Sequence, residues 1–295
     1  MLFHAKRRES CDDVDSHLVI KIQEAFVVLD CAECENGPMG VEDQNRMLAR
    51  LLRVLEAFDA ESPELAPSKV ARRTGLAVPT AHRLVKQMAG LGFLEATGTG
   101  TYRVGVKLWE LASRSQNVLS LREAAKPYLD GVHHVVKQHT QLGVREGHDM
   151  LYIEILSNQD AVINITKVAS RLPIHSCSSG LVMLAFSSPA LQEEVIHDAT
   201  LVALTEHTMT KPKELRRALA QVRREGFCLY RGAVHPDAAG VAVPVRGAGG
   251  SVVATISVIV PNDRRHPAYA VPVMLAAGRG LSQTLRARQS EDGAF

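Results

Sequence analysis

The sequence has no apolar run long enough to cross a membrane and no N-terminal secretion signal. A membrane-spanning helix needs about 20 consecutive apolar residues. The best run, Val252–Val260, has about half that length and is rich in β-branched residues, which predicts a buried strand. Residues 1–8 are followed by acidic residues and not by a long apolar stretch, so we expect neither a signal peptide nor a membrane partner.

Cysteines and nucleotide-binding motifs are also scarce. Cys31 and Cys34 have the spacing of half a zinc site without a second pair, so we expect no metal. The glycine pattern of dinucleotide sites, the P-loop and the hydrolase nucleophile elbow are missing, and we expect no cofactor. An odd number of cysteines without a signal peptide predicts reduced thiols and a cytoplasmic location. The five are Cys11, Cys31, Cys34, Cys177 and Cys228.

The net charge of +2 hides an uneven distribution. Residues 1–45 contain four basic and ten acidic residues, whereas residues 46–115 contain eleven basic and six acidic residues. A basic block favours an anionic partner, and a solvated face without any partner is the alternative. We expect residues 1–43 to be a poorly ordered acidic leader with one short helix over 18–29. Met39 is a second candidate for the native first residue.

The strongest pattern in the basic block predicts a helix–turn–helix. Arg46–Phe58 has apolar residues at helical spacing on one face. A short helix over 69–74, capped by Ser68, is followed by a turn at Gly75. A second helix is predicted over 79–89, because proline is favoured at a first helical position.

Two β-rich runs, 93–97 and 101–104, predict a hairpin that resembles the wing of a DNA-binding domain. This geometry would place the second helix in the major groove. There Arg83 could form two hydrogen bonds with a guanine, and Lys86 could neutralise a phosphate. The alternative is an ordinary three-helix packing unit. The residues expected to contact DNA are Ser68, Pro79, Thr80, His82, Arg83, Lys86 and Arg103.

The remaining chain is predicted to be α+β, with helices packed on a mainly antiparallel sheet. A linker helix over 106–121 precedes a long helix over 122–138. Further helices are predicted over 178–186, 190–197, 212–225 and 270–288. The predicted strands are Leu142–Arg145, Met150–Ile155, Val162–Ile165, Phe227–Tyr230, Val241–Val245 and Val252–Val260.

Several motifs together resemble those of IclR-family transcriptional regulators. They include Ser-Lys-Val-Ala-Arg-Arg-Thr-Gly-Leu at 68–76, Thr-Ala-His-Arg-Leu at 80–84, Arg-Leu-Pro-Ile-His-Ser at 171–176 and Val-Ala-Val-Pro-Val at 241–245. The resemblance implies a winged helix–turn–helix over 44–105, a linker helix over 106–121, and a GAF-like effector-binding domain over 122–290.

The resemblance also implies an effector pocket. Its positions fall on Ser178, Ser179, Tyr230, Gly240 and Ser257. A helix N-terminus that carries serines can hold a carboxylate, and Arg231 would add a charge-assisted bond. Gly240 stands where the family often has cysteine, and Arg231 follows Tyr230 where the family has acidic residues. Both departures favour a larger or more anionic ligand. The alternative is that the serines only cap a helix.

These observations predict a cytoplasmic, ligand-responsive regulator that binds double-stranded operator DNA. The expected effector is a small organic acid, and the expected assembly is a homodimer or homotetramer. One alternative is a ligand-independent architectural DNA-binding protein. Another is an enzyme that uses Cys177 or the Ser178/Ser179 pocket beside His175, although a third group to orient the base is not evident.

Overall fold

The computed structural model describes residues 39–59, 61–98, 100–114, 116–158, 161–198 and 201–292. They form two compact units that divide between Leu119 and Ser120. Of the leader predicted over 1–43, residues 1–38, with its short helix and the Cys31/Cys34 pair, lie outside the described residues. Residues 39–43 were predicted to be poorly ordered, but they form the start of the first helix, Met39–Glu56. No helix in the described part of the chain is long and apolar enough to span a membrane.

The first unit is a helix–turn–helix followed by a hairpin. Its core contains Val54, Leu65, Val70, Leu84, Val85, Met88 and Leu94. The elements are α1 (Met39–Glu56), β1 (Glu64–Leu65), α2 (Pro67–Thr74), α3 (Val78–Gly90), β2 (Leu94–Ala96), β3 (Tyr102–Val104) and α4 (Val106–Ala112). The three strands pair antiparallel in the order β1-β3-β2.

The prediction of one linker helix over 106–121 is wrong. α4 ends at Ala112, and a separate helix, α5 (Gln116–Val136), carries the chain into the second unit. The carbonyl of Trp109 accepts bonds from both the backbone N–H of Ser113, at 2.8 Å, and its hydroxyl, at 2.7 Å. A serine hydroxyl that binds the carbonyl four residues back competes with helix continuation, and this one sits where α4 ends.

The second unit is an antiparallel sheet covered by helices on both faces, which confirms the predicted α+β class. The strands are β4 (His139–Glu146), β5 (Asp149–Leu156), β6 (Arg171–Pro173), β7 (Cys228–Arg231), β8 (Ala238–Arg246) and β9 (Val252–Pro261). These six strands lie in the order β6-β5-β4-β9-β8-β7. The helices after α5 are α6 (Ser178–Ala185), α7 (Pro189–His197), α8 (Pro212–Glu225) and α9 (Arg265–Asp292).

Alternation along the strands separates two cores. Val241 and Val243 of β8 pack with α5 and α9 on one face, whereas Ala242 packs with α6, α7 and α8 on the other. Successive residues of a strand point to opposite faces, so the two periodic sets of apolar residues each cover one side. α6 is buried along its whole length, because it lies between the sheet and the outer helices.

The strand predicted over Val162–Ile165 is wrong. Residues 161–170 form a loop, named here the 161–170 loop. Side chains next to or within β4 hold its start: Gln138 Oε1 accepts the N–H of Val162 at 3.0 Å, and His139 Nε2 lies 2.7 Å from the Val162 carbonyl oxygen. These side chains satisfy backbone groups that a neighbouring strand would otherwise bind.

The turn before α6 is held by close backbone approach and by two buried side chains. Ser176 Oγ donates to the Pro173 carbonyl at 2.8 Å, and His175 Nε2 lies 3.0 Å from the Val202 carbonyl oxygen. Gly180 faces the backbone of Ile174 so closely that a Cβ there would overlap the carbonyl oxygen. The position of the α6 N-terminus therefore depends on a residue without a side chain.

Gly180→Ala is expected to lower the free energy of unfolding by at least about 1–3 kcal/mol, since an added methyl in a packed region forces the backbone to move. The matched control is Gly249→Ala, where a Cβ meets no atom within 4 Å. Urea denaturation followed by circular dichroism measures both. Equal midpoints for the two variants would contradict the close approach.

His175 is expected to make stability depend on pH. Burial lowers its pKa from 6.5, so the folded chain resists protonation where the unfolded chain accepts it. As pH falls below about 6.5, the unfolded state binds more protons and the free energy of unfolding decreases. His175→Gln should therefore reduce the difference in urea midpoint between pH 7.5 and pH 5.5. His134→Gln, on the exposed side of α5, is the control and should leave that difference unchanged.

Candidate DNA-binding face and effector cavity

α3 buries one side and exposes the other. Ala81, Leu84, Val85 and Met88 are buried in the unit's core. The opposite side, named here the α3 face, exposes His82, Arg83, Lys86 and Gln87 with Thr80 half-buried. This is the division that the apolar spacing in the sequence predicts.

The α3 face carries cations without partners. In the first unit's described residues, neither Arg83 nor Lys86 takes part in an ion pair. Arg73 of α2 is different, because its guanidinium binds Asp59 Oδ2 at 2.9 Å and the Ala57 carbonyl at 2.7 Å. Arg73 therefore holds the end of α1 in place, whereas the cations of α3 face solvent.

The predicted helix starts need correction. α2 begins at Pro67 with Ala66 at the N-cap, and no side chain caps it, so Ser68 does not have the predicted capping role. Proline already lacks the N–H that a cap would bind. Ser68 is exposed near the start of α2. α3 begins at Val78, one residue before the predicted start, and Pro79 is exposed in its first turn.

The wing places Arg103 in an ion pair. Arg103 Nε and Nη2 bind one oxygen of Glu95, at 3.1 and 3.0 Å. The other oxygen accepts the N–H of Val106 at 3.0 Å, at the first residue of α4. These bonds hold the pKa of Glu95 below its usual value, with the Val106 N–H as the largest cause. Arg103 is exposed but shares its charge with a carboxylate.

In the second unit a cavity lies between the start of α6, β4, β7, β8 and the 161–170 loop; it is named here the α6 cavity. Its volume is about 40 Å³. Apolar groups line most of it, and polar groups are contributed by the sheet, the loop and the helix start. The lining includes Gln141, Tyr152, Ile163, Asn164, Thr166, Cys177, Ser178, Tyr230, His235, Gly240 and Ile259.

The N-terminus of α6 brings hydrogen-bond donors to the cavity. Cys177 is the N-cap, and its Sγ accepts the N–H of Gly180 at 3.4 Å. The first amides of a helix have no acceptor within it and attract negative charge. Ser178 lines the cavity. The buried hydroxyl of Ser179 has no hydrogen-bond partner within the described residues, although it lies near the Tyr152 hydroxyl.

The six residues predicted to bind the effector have different positions. Ser178, Tyr230 and Gly240 line the α6 cavity. Ser179 and Ser257 lie behind its wall, where Ser257 Oγ donates to Gln141 Oε1 at 3.3 Å. Arg231 does not line this cavity. Its side chain is exposed and binds the Asp263 carbonyl at 2.7 Å and Asn262 Oδ1 at 3.1 Å, because alternation along β7 turns it away from Tyr230.

Gly240 does not leave free space in the way that its small size suggests. A Cβ at this position would lie 2.5 Å from Ser178 Oγ and 3.2 Å from Ser178 Cβ. The glycine thus lets the start of α6 approach β8. Its contribution to the cavity is to bring the Ser178 hydroxyl against the sheet.

Sequence reasoning missed the polar residues on β4 and in the loop. Gln141 is fully buried and binds Thr166 Oγ1, and Thr166 binds Asn164. Gln141 lies between Thr140 and Leu142, one residue before the predicted strand Leu142–Arg145, so its sequence position did not indicate that its amide is buried and needs partners. Asn164 and Thr166 carried no signal either, since their run of β-branched residues favoured a strand.

Cys177 and His175 do not form a nucleophile and base. Burial raises the pKa of the Cys177 thiol to about 11, so the thiol is protonated at neutral pH. The Nε2 of His175 faces the Val202 carbonyl and must donate to it, and burial lowers the pKa of this imidazole. The thiol accepts from the Gly180 amide at 3.4 Å and donates to the Pro173 carbonyl at 4.0 Å, and neither of these groups is a base.

A larger cleft of about 300 Å³ lies between α8 and the edge strand β7. Along α8 its lining includes Glu214, Arg217 and Glu225, and none of the residues predicted to bind effector lines it. Two carboxylates beside one guanidinium give the cleft a net negative charge, which does not favour binding of an ionised acid. The α6 cavity is therefore the candidate effector site.

Comparison with known proteins identifies the two units. The IclR helix-turn-helix domain matches residues 47–98, and the family described as bacterial transcriptional regulator IclR C-terminal matches residues 114–282. The HTH-type transcriptional regulator XynR of Escherichia coli is 29% identical over 216 residues, which cover 73% of this chain and 86% of that protein. The p-hydroxybenzoate hydroxylase transcriptional activator of Acinetobacter baylyi is 26% identical over 251 residues, 83% of this chain and 92% of that protein.

Among solved structures, an IclR homolog from Microbacterium hydrocarbonoxydans complexed with 4-hydroxybenzoate is 40% identical, with a TM-score of 0.76. The similarity covers 82% of this chain and 99% of that one. The family matches extend over both described units, in the order that the sequence motifs indicate. The chain belongs to the IclR family of transcriptional regulators.

Proposed function

We propose that the protein is a cytoplasmic regulator that binds operator DNA through α3 and the wing, and that a small organic acid in the α6 cavity alters this binding. The observation that carries the proposal is one chain that holds both an exposed cationic helix face and a buried cavity with helix N-terminal donors. A ligand that favours one conformation would shift the population of DNA-competent molecules.

The DNA part rests on the α3 face. Recognition helices contact base edges with their outward side chains, and neighbouring cations neutralise phosphates. Among the described residues neither Arg83 nor Lys86 has an ion-pair partner, so binding DNA would break no such pair at either residue. Arg103 must share its guanidinium between Glu95 and any phosphate.

Arg83→Ala is expected to lower the affinity for a specific site by about 1–3 kcal/mol, because arginine contacts guanine through two hydrogen bonds. Lys86→Ala should weaken binding to specific and random DNA alike. It should also reduce the slope of log affinity against log salt concentration by about one. Fluorescence anisotropy of the full-length protein measures both, on a duplex selected by the wild type from a random library and on random duplex. Lys213→Ala, exposed on α8, is the control. Unchanged binding in both test variants would mean that another face contacts DNA.

The effector part rests on the chemistry of the cavity. None of the described residues that line it is lysine or arginine, so a carboxylate would be held by the first amides of α6 and the Ser178 hydroxyl. Ile163, Leu172 and Ile259 suit an apolar body. The relative complexed with 4-hydroxybenzoate makes that acid the first probe.

The size of the cavity links binding to conformational change. A cavity that accepts benzene has a volume of about 150 Å³, whereas the α6 cavity has about 40 Å³. An aromatic acid would therefore have to widen the site. Such a ligand would bind the widened conformation more tightly than the narrow one, and this difference in affinity is what shifts a conformational equilibrium.

4-Hydroxybenzoate at a hundredfold excess over its Kd is expected to stabilise the full-length protein by about 2.7 kcal/mol and raise its melting temperature. Gly240→Leu should abolish the rise, since the side chain fills the cavity and displaces Ser178, yet leave DNA binding without ligand intact. Ser178→Ala is a gentler variant and should weaken binding about tenfold through one lost hydrogen bond. Gly249→Leu, in the exposed β8–β9 turn, is the control. If both test variants showed the full rise in melting temperature, the effector would bind at another site.

The proposal includes a homodimer, or a homotetramer built from dimers. Helix–turn–helix proteins bind two half-sites about one DNA turn apart as dimers. α1 and α4 expose a set of large apolar side chains that a second copy would cover. They are Met47, Leu48, Leu52, Val106, Trp109 and Leu111.

The two alternative functions have less support. Catalysis at Cys177 or Ser178 would need a base within reach, and His175 is engaged with a backbone carbonyl. A ligand-independent architectural protein would have no use for the donors left without acceptors around the α6 cavity. Failure of every tested acid to change the melting temperature would favour that alternative.

A further inference from the structure

A chain of hydrogen bonds connects the sheet to the 161–170 loop across the α6 cavity. Ser257 of β9 contacts Gln141 Oε1 at 3.3 Å, and Gln141 Nε2 contacts Thr166 Oγ1. Thr166 Oγ1 lies 2.6 Å from Asn164 Oδ1. Gln141 and Ser257 are fully buried, and Asn164 lines the cavity. The four side chains thus form one network at one wall of the site.

The direction of every bond in this network follows from one backbone group. The N–H of Thr166 can only donate, and it donates to the Asn164 side chain at 3.1 Å. The contacted atom is therefore the amide oxygen, which settles the orientation that an asparagine otherwise leaves open. The Thr166 hydroxyl must then also donate to that oxygen. It accepts from Gln141 Nε2, and Gln141 Oε1 accepts from Ser257.

The network consequently ends on unused donors. The Asn164 amide nitrogen has two hydrogens and no acceptor among the described residues, and the Gln141 nitrogen has one hydrogen beyond its bond to Thr166. Because both side chains line the cavity, these N–H groups are available to a bound molecule. Asn164 is half-buried, so a ligand that covers the cavity would remove water from these donors, and a ligand group that only donates would leave them unsatisfied at a cost in free energy.

The loop that carries Asn164 is fixed to the sheet at both ends. The Val162 peptide is held by Gln138 and His139. At the other end the Tyr152 N–H donates to the Ser170 carbonyl at 3.1 Å, and Tyr152 O accepts from Ala169 at 2.8 Å. The position of Asn164 is therefore set before a ligand arrives, as specific recognition requires.

We infer that Asn164, supported by Gln141 and Thr166, selects effectors that carry a second oxygen acceptor away from the carboxylate. This inference rests on the proposed function, in which the carboxylate binds the start of α6. A phenol or carbonyl oxygen satisfies the free amide donors. An unsubstituted ring or an aromatic amine does not, because the first has no acceptor and the second is a poor one.

Isothermal titration calorimetry on the full-length protein tests this selection with 4-formylbenzoate, whose carbonyl oxygen only accepts, and with benzoate and 4-aminobenzoate. The wild type should bind 4-formylbenzoate about tenfold more tightly than either analogue, the fold-change that corresponds to one hydrogen bond. Asn164→Asp keeps the oxygen that Thr166 binds and replaces the free donor by an acceptor. It should bring the affinity ratio of 4-formylbenzoate to 4-aminobenzoate to one or below, because a carbonyl oxygen cannot donate to a carboxylate.

Asn158→Asp is the matched control, because it makes the same change in charge at an exposed position that does not line the cavity. It should leave the ratio as in the wild type. The ratio, rather than the absolute affinity, is the readout, since an added carboxylate weakens the binding of every acid.

Two results would overturn the inference in different ways. If the wild type binds all three acids equally, or if Asn164→Asp preserves the ratio, then Asn164 does not select the ligand, although an effector site remains. If none of the three acids binds, the proposed aromatic-acid effector fails and the inference fails with it.

Discussion

The second unit depends on how closely the N-terminus of α6 approaches the backbone around it. Gly180 lies against the Ile174 carbonyl, and Gly240 of β8 lies against Ser178, so two missing side chains define the position of one helix end. That end supplies the amides of the α6 cavity and is buried under α7 and α8. Because α6 has no exposed side, any shift of its start must also move the sheet or the outer helices.

The two candidate sites differ in how their polar groups are satisfied before a ligand binds. On the α3 face the cations are exposed, and water solvates them until a polyanion replaces it. Around the α6 cavity Gln141, Thr166 and Ser178 are buried, and a buried polar group needs a protein partner or a ligand. Among the described residues, neither the buried Ser179 hydroxyl nor the half-buried Asn164 amide nitrogen has a hydrogen-bond partner. One site therefore relies on charge and the other on hydrogen-bond complementarity.

Much of the fold could be predicted from local pattern. α3 and α8 follow apolar spacing, and the predicted bounds of α8, 212–225, are those of the structure. Local sequence pattern did not predict the structure where tertiary contacts determine it. Val162–Ile165 has β-branched residues, yet Gln138 and His139 take the backbone bonds that a strand would need. Arg231 is next to Tyr230 in sequence, yet it lies on the opposite face of β7 and does not line the cavity that Tyr230 lines.

Each oxygen of the Glu95 carboxylate has a different contact in the first unit. One oxygen neutralises Arg103 in the wing, and the other caps the first turn of α4. The wing and α4 are thus electrostatically coupled, because a phosphate that attracts Arg103 leaves Glu95 with a larger share of its negative charge. A fuller negative charge is a better acceptor for the amides at a helix start. Contact between the wing and a polyanion would therefore tighten the first turn of the helix that follows it.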